Sequence, residues 1–194
     1  MSQDLSNTRK LIATAMLIAL CVVLPIGFHS IPRAGSILLP MHIPVLLAGL
    51  ICGWKFGLIT GMVGPILSTM MTGMPPTMLI AASMSIELGV YGLVAGLVVK
   101  FVHTKRASVD LYIALVVAML VGRVAGGLAQ VFFFFGGEFN LQFWTTNYTW
   151  AMWTTSYFVT SLPGIVIQLA FVPSVVMALE RERIIPLRYP VRAN

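Results

Sequence analysis

The sequence predicts an all-α membrane protein with six transmembrane helices. Three observations indicate this class: 58% of the 194 residues are hydrophobic, only 9% are charged, and apolar runs of near-spanning length recur along the chain. Soluble domains carry about 25% charged residues, and a chain of this size cannot bury so much apolar surface in one aqueous core. We expect one integral membrane domain over residues 1–194, with short cytoplasmic tails at 1–10 and 180–194.

The helices follow from the apolar runs. A helix crosses the bilayer with about 20 apolar residues, and shorter or tilted helices are accommodated. The first run lacks an A-x-A-like cleavage site, so we interpret it as a span and not as a signal peptide. Pro65, Pro163 and Pro173 predict kinks or breaks. The predicted helices cover residues 11–26, 42–53, 56–71, 77–102, 111–135 and 151–179.

Basic residues lie largely in one set of connections. The other set, at 27–40, 72–76 and 136–150, holds one base, Arg33. By the positive-inside rule, we expect both termini in the cytoplasm and those three connections outside. The net charge of +6 then reflects topology, and we expect no nucleic-acid partner. The base-rich set comprises Arg9, Lys10, Lys55, Lys100, Lys105, Arg106, Arg181, Arg183, Arg188 and Arg192.

The outward connections are rich in aromatic and amide side chains. Residues 136–158 read GGEFNLQFWTTNYTWAMWTTSYF. Interfacial aromatic belts explain part of this composition, and the alternative is a lid over an outward pocket. The candidate lid residues are Trp144, Asn147, Trp150 and Trp153.

Small residues recur at four-residue spacing. In lipid, helices associate through close packing of such residues, and this explains each pair without further function. Ala15 and Ala19 differ because they lie on the first span, where they are available to face another protein. The glycine pairs are Gly49 and Gly53, Gly57 and Gly61, Gly92 and Gly96, and Gly122 and Gly126.

Two ionisable residues, Glu87 and Arg123, lie near the middle of predicted spans. Each is about ten residues, or about 15 Å, from the outer end of its helix. Charges at this depth face the bundle interior and pair, so we predict an interaction between them, directly or through water. One interpretation is a structural salt bridge. The other is that Arg123 lies at the floor of an outward pocket and binds an anionic or amide group, oriented by Glu87.

Further candidates surround this pair. Gln130 shares the helix face of Arg123 and lies nearer the outer end, while Gly126 and Gly127 leave room for a ligand. Tyr91 is one turn deeper than Glu87. His42, flanked by Pro40 and Pro44, is at the outer end of helix two, where a histidine hydrogen bond would shape the rim of the pocket. The substrate-binding candidates are therefore Arg123, Glu87, Gln130, His42, Tyr91, Asn147 and Trp150.

The sequence lacks the common catalytic and nucleotide-binding motifs. No G-x-x-x-x-G-K-[ST], H-E-x-x-H or G-x-S-x-G motif occurs, and no second ligand accompanies His42 at metal spacing. Cys21 and Cys52 lie in apolar runs as small fillers. We expect no enzyme activity, no cofactor and no metal. The pattern favours a solute-binding subunit of a larger transporter over a lipid-modifying membrane enzyme, a self-sufficient small carrier or channel, or a structural partner.

Residues 39–96, LPMHIPVLLAGLICGWKFGLITGMVGPILSTMMTGMPPTMLIAASMSIELGVYGLVAG, resemble the substrate-binding S components of energy-coupling-factor (ECF) transporters. The shared motifs are P-x-H-x-P, A-G-x-x-x-G, G-x-x-x-G, a Pro-Pro turn and E-x-x-x-Y-G, in that order. The six-helix layout is similar throughout. Ala15 and Ala19 are similar to the A-x-x-x-A motif by which such proteins dock on the membrane coupling subunit.

The resemblance implies an S-component-like bundle in a prokaryotic cell membrane that binds a vitamin or related micronutrient from outside. It also implies partners, namely one membrane coupling subunit and two ATPase subunits that hydrolyse ATP. An intramembrane arginine suits a carboxylate-bearing solute, so pantothenate is the preferred substrate. Hydroxymethylpyrimidine, cobalamin, folate and a queuosine precursor are the alternatives.

Overall fold

The computed structural model describes residues 5–27, 37–104, 106–135 and 155–185, and all regular structure in these ranges is helical. The fold class is therefore confirmed as all-α. Two π-helical stretches continue or precede α-helices, at Ala48–Cys52 after α2 and at Thr155–Thr160 before α6. The α-helices are α1 Asn7–Gly27, α2 His42–Leu47, α3 Trp54–Thr72, α4 Met78–Phe101, α5 Ala107–Phe135 and α6 Leu162–Arg181.

Among the described residues, four helices are long and apolar enough to cross a membrane, and His42–Cys52 is a shorter apolar helix. The 19-residue α3 is not among the four, because three glycines, Lys55 and several hydroxyl side chains lower its apolar character. The count of six spans and the cytoplasmic termini remain predictions. The four spans are Asn7–Gly27, Met78–Phe101, Ala107–Gln130 and Leu162–Arg181.

The last predicted helix is interrupted in the structure. The sequence predicts one helix over 151–179, but the π-helical segment ends at Thr160 and α6 begins at Leu162, after a turn at Ser161. Pro163 lies in the first turn of α6, where a missing N–H costs no hydrogen bond. The predicted proline break is thus a helix start.

Residues with special backbone or capping roles separate the central helices. The α2 segment is α2 together with the π-helical Ala48–Cys52 that continues it. Gly53 has φ +100° and lies between the α2 segment and α3, while Gly73 ends α3 in the left-handed region at φ +71°. The Thr77 side chain then accepts a hydrogen bond from the Ile80 N–H at 3.3 Å and begins α4. These turns fold α2, α3 and α4 back on one another.

A glycine seam, formed by Gly49, Gly57 and Gly92, joins α3, α4 and the α2 segment backbone to backbone. A Cβ atom built on Gly57 would lie 2.5 Å from the Gly92 carbonyl oxygen and 2.7 Å from the Gly49 Cα. Gly61 and Gly96 likewise contact the backbone of the facing helix. The predicted small-residue packing is confirmed at these positions.

The chain entering α2 is held against α6. A Cβ on Gly164 would lie 2.7 Å from the Ile37 carbonyl oxygen, so only glycine permits this approach. The Gln168 amide donates to the Leu39 carbonyl at 3.5 Å, and the His42 backbone N–H donates to the same carbonyl at 3.1 Å. These contacts place His42 inside the bundle, facing α4.

Candidate functional site

The site is built first on α4, which supplies Glu87 and Tyr91. Glu87 is 7% exposed and Tyr91 is fully buried. A Cβ on Gly126 of α5 would lie 2.7 Å from the Glu87 Cδ and Oε2, and a Cβ on Gly122 would overlap the Tyr91 ring. The two glycines of α5 therefore accept the two α4 side chains, and this contact sets the register between the helices.

The contact with Gly126 places the Glu87 carboxylate three residues, or about 4.5 Å, beyond Arg123 along α5. The equal depth of Glu87 and Arg123 remains a prediction, because this contact locates the Glu87 side chain and not its backbone. The expectation that Gly126 leaves room for a ligand is wrong, because the Glu87 carboxylate fills that space.

Arg123 is 3% exposed and reaches α6. Its Nη1 donates a hydrogen bond of 2.9 Å to the Ser161 Oγ. The Tyr91 hydroxyl lies near enough to Glu87 and Arg123 for both charges to act on it. A direct interaction between Glu87 and Arg123 remains a prediction.

His42 is an interior residue, and its predicted place at the rim of a pocket is wrong. It is 2% exposed, and its Nε2 lies 3.8 Å from Glu87 Oε1. The imidazole packs edge-on against the Tyr91 ring, with centroids 4.9 Å apart and planes at 89°. In the described part of the chain, no hydrogen-bond partner meets either His42 ring nitrogen or the Tyr91 hydroxyl.

The arrangement joins four elements around one polar cluster, defined as His42, Glu87, Tyr91, Arg123 and Ser161. It combines one carboxylate, one guanidinium, one imidazole and two hydroxyls within an apolar bundle. No group of three potential metal ligands occurs among the described residues. The chemistry on offer is recognition by charge and hydrogen bonding, since intramembrane ionisable residues mark solute or ion sites.

A comparison with protein families identifies the family of the chain. A family model described as "ECF transporter, substrate-specific component" matches residues 9–176. The chain belongs to this family. No curated protein and no solved structure matches the chain. The protein is therefore the substrate-specific component, or S component, of an ECF transporter.

Ser161 is the residue of this S component that the sequence interpretation missed. It precedes α6, and its side chain makes no capping hydrogen bond to that helix, because its hydroxyl accepts from Arg123 instead. The signal was present in the pair Ser161 and Pro163, since a serine before an early proline is typical of a helix start.

The remaining candidate residues of the S component fall into two groups. Gln130 is half-buried, seven residues beyond Arg123 on α5, and its role in binding remains a prediction. Four predicted lid residues lie outside the described residues, and their roles are likewise predictions. They are Trp144, Asn147, Trp150 and Trp153.

The first helix of the S component presents an apolar face. Ala15 and Ala19 are exposed on it, together with large apolar side chains. The buried residues of α1 are Thr14, Cys21 and Val22, and Cys21 packs against Gly64 of α3. The exposed large side chains are Leu11, Ile12, Met16, Leu20, Val23 and Ile26.

Proposed function

We propose that this S component binds an acidic micronutrient, with pantothenate as the preferred substrate, and delivers it to an ECF-type importer. The observation that carries this proposal is the buried Arg123, whose Nη1 is held at 2.9 Å by Ser161. A guanidinium has five N–H donors in a fixed fork, so one side chain serves Ser161 and a carboxylate at once. Uncharged vitamins gain little from a buried cation.

The proposed topology places the entrance on the side of the long connections. Six spans with both termini in the cytoplasm put residues 27–40 and 136–150 outside, in a prokaryotic cell membrane. Arg123 reaches the start of α6, which is the outer end of that helix in this topology. The solute would approach from there, with Gln130, Asn147 and Trp150 as further contacts.

The proposed partners are one membrane coupling subunit and two ATPase subunits. The small side chains of Ala15 and Ala19, exposed on α1, allow a partner helix to approach closely. Toppling of the S component in the membrane would then release the solute inside. ATP hydrolysis would take place on the partner subunits.

The alternative substrates are hydroxymethylpyrimidine, cobalamin, folate and a queuosine precursor. A stand-alone carrier or channel is the alternative function. Transport by the purified chain alone in vesicles, without coupling or ATPase subunits, would establish that alternative and exclude the subunit role.

The test is a binding assay on the purified full-length protein in detergent, with pantothenate as the probe. We expect one-to-one binding, with affinity reduced roughly 100-fold by Arg123→Ala because a charged fork pairing is lost. Arg181→Ala, which removes an exposed arginine at the end of α6, is the matched control and should bind as the unmodified protein does. Undiminished affinity in Arg123→Ala would disprove the proposed role of this arginine.

A further inference from the structure

The polar cluster has a charge balance of its own. Among the described residues, four acidic, basic or histidine side chains are buried, namely His42, Glu87, Asp110 and Arg123. Asp110 lies in the first turn of α5, about 20 Å along the helix from Arg123, and accepts two hydrogen bonds from Thr104. The cluster therefore contains one carboxylate, one guanidinium and one imidazole, and it is neutral when the imidazole is uncharged.

The surroundings of His42 contain one carboxylate in the described part of the chain. Glu87 and Tyr91 face it from α4. Cys21 of α1 donates to the Met41 carbonyl at 3.8 Å, beside His42. The buried residues of α3 and α6, which also pack against the α2 segment, are all uncharged. Beyond Tyr91, α5 contributes Arg123. Among the described residues, Glu87 is thus the carboxylate that faces the His42 ring.

Protein side chains fill the space beside His42, so His42 can accept a proton there more readily than it can contact the solute. The Glu87 side chain fills the groove at Gly126, and the Tyr91 ring fills the groove at Gly122. The His42 ring nitrogens are buried and have no hydrogen-bond partner among the described residues. Nε2 is 3.8 Å from the Glu87 carboxylate, so a shift of about 1 Å gives the 2.7–2.9 Å spacing of a charge-assisted hydrogen bond.

An anionic solute at Arg123 would upset this balance. It would leave one uncompensated negative charge in a buried site, which is costly in an apolar interior. We propose that the solute is bound as an anion together with one proton, which His42 accepts from solvent and shares with Glu87. This inference rests on the proposed function, because it requires an acidic solute at Arg123.

The proposal has a defined pH dependence. The bound complex holds one proton more than the free protein, so affinity falls as pH rises, by up to tenfold per pH unit. The dependence vanishes at pH values where both forms hold the proton or both lack it. An uncharged solute of the same shape leaves the charge balance unchanged and takes up no proton.

The experiment is isothermal titration calorimetry of the full-length protein in detergent, near pH 7.5, in two buffers with different ionisation enthalpies. Pantothenate and its neutral alcohol analogue pantothenol are the two probes. We expect uptake of about one proton with pantothenate and none with pantothenol. Neither comparison requires a variant, so a folding defect cannot obscure the result.

Variants then assign the proton. His42→Gln should bind pantothenate more weakly and without proton uptake, because the negative charge of the solute is then not compensated. Glu87→Gln should also lose the uptake, since the solute itself then balances Arg123. His103→Gln is the matched control, because His103 is exposed just after α4 and should leave the uptake at about one proton.

The outcomes separate this inference from the proposed function. Absence of binding by both probes would overturn pantothenate as the substrate and, with it, the inference of a proton bound together with pantothenate. Binding of pantothenate without proton uptake would overturn the inference alone. Uptake that persists in His42→Gln would refute the assignment to His42.

Discussion

Ser161→Ala separates the positioning of Arg123 from its charge. The substitution deletes the hydroxyl that accepts the 2.9 Å hydrogen bond from Arg123 Nη1 and leaves the guanidinium in place. Both residues are buried, so water cannot readily replace the lost acceptor. The variant therefore tests whether the arginine must be held in a fixed orientation before a solute arrives.

The expected change in affinity depends on which states of the protein lose this hydrogen bond. A hydrogen bond to a charged group contributes about 1.5–3 kcal/mol to stability, and both the free and the solute-bound protein lose it. The affinity changes only by the cost of ordering the released guanidinium, about 0.5–1.5 kcal/mol. This corresponds to roughly 2- to 12-fold weaker binding of pantothenate, well short of the loss expected for Arg123→Ala.

The assay pairs calorimetric binding with thermal unfolding in detergent, and two controls bracket the effect. Ser161→Thr keeps a hydroxyl and should retain most of the affinity. Ser174→Ala lies on the same helix but removes an exposed hydroxyl bonded at 2.6 Å to its own helix carbonyl at Ala170, and it should change neither quantity.

Either of two results would contradict the proposed role of the Ser161 hydroxyl. If Ser161→Ala matches Ser174→Ala in both affinity and unfolding midpoint, Ser161 does not position Arg123. If Ser161→Thr is as weak as Ser161→Ala, the hydroxyl is not the relevant feature of this position.

Two further predictions concern packing and docking. Gly92→Ala should lower the temperature midpoint of unfolding strongly, because the added Cβ would overlap the backbone of Gly57. Gly89→Ala is the control and should be tolerated, since the nearest neighbour of its Cβ is a methionine side-chain atom at 3.0 Å. Equal unfolding midpoints for the two variants would refute the importance of the seam. Replacing Ala15 and Ala19 by leucine should leave pantothenate binding unchanged but block pantothenate uptake by the assembled transporter in vesicles, since both residues are exposed on α1. Normal uptake by this variant would exclude this face of α1 as the docking surface.

The buried charges were predictable because their cost in lipid is general. Glu87 and Arg123 stand out in apolar runs, and the structure buries both side chains. Counting along the helices could not show which side chains the α5 glycines accommodate. The approach of Glu87 to Gly126 depends on how two helices pack, and neither helix shows it alone.

The environments of His42 and Ser161 were not predictable in the same way. Both residues lie at helix starts, where chain direction changes within one or two residues. His42 is turned inward where the Leu39 carbonyl accepts from both the His42 N–H and the Gln168 side chain of α6. Leu39 and Gln168 are 129 residues apart. Gly53 shows a related limit, because its four-residue spacing from Gly49 indicates packing, whereas its φ of +100° shows that it forms a turn.

The seam of Gly49, Gly57 and Gly92 has a mechanical consequence. Where main chain contacts main chain, no side chain can change rotamer to relieve a displacement. The three segments that the seam joins should therefore resist sliding and move as one rigid unit. At Gly122 and Gly126 of α5, the contacts to α4 are made instead by the Tyr91 and Glu87 side chains, and side chains are able to change rotamer. Movement between helices should therefore be easier at these two positions, within the polar cluster, than along the seam.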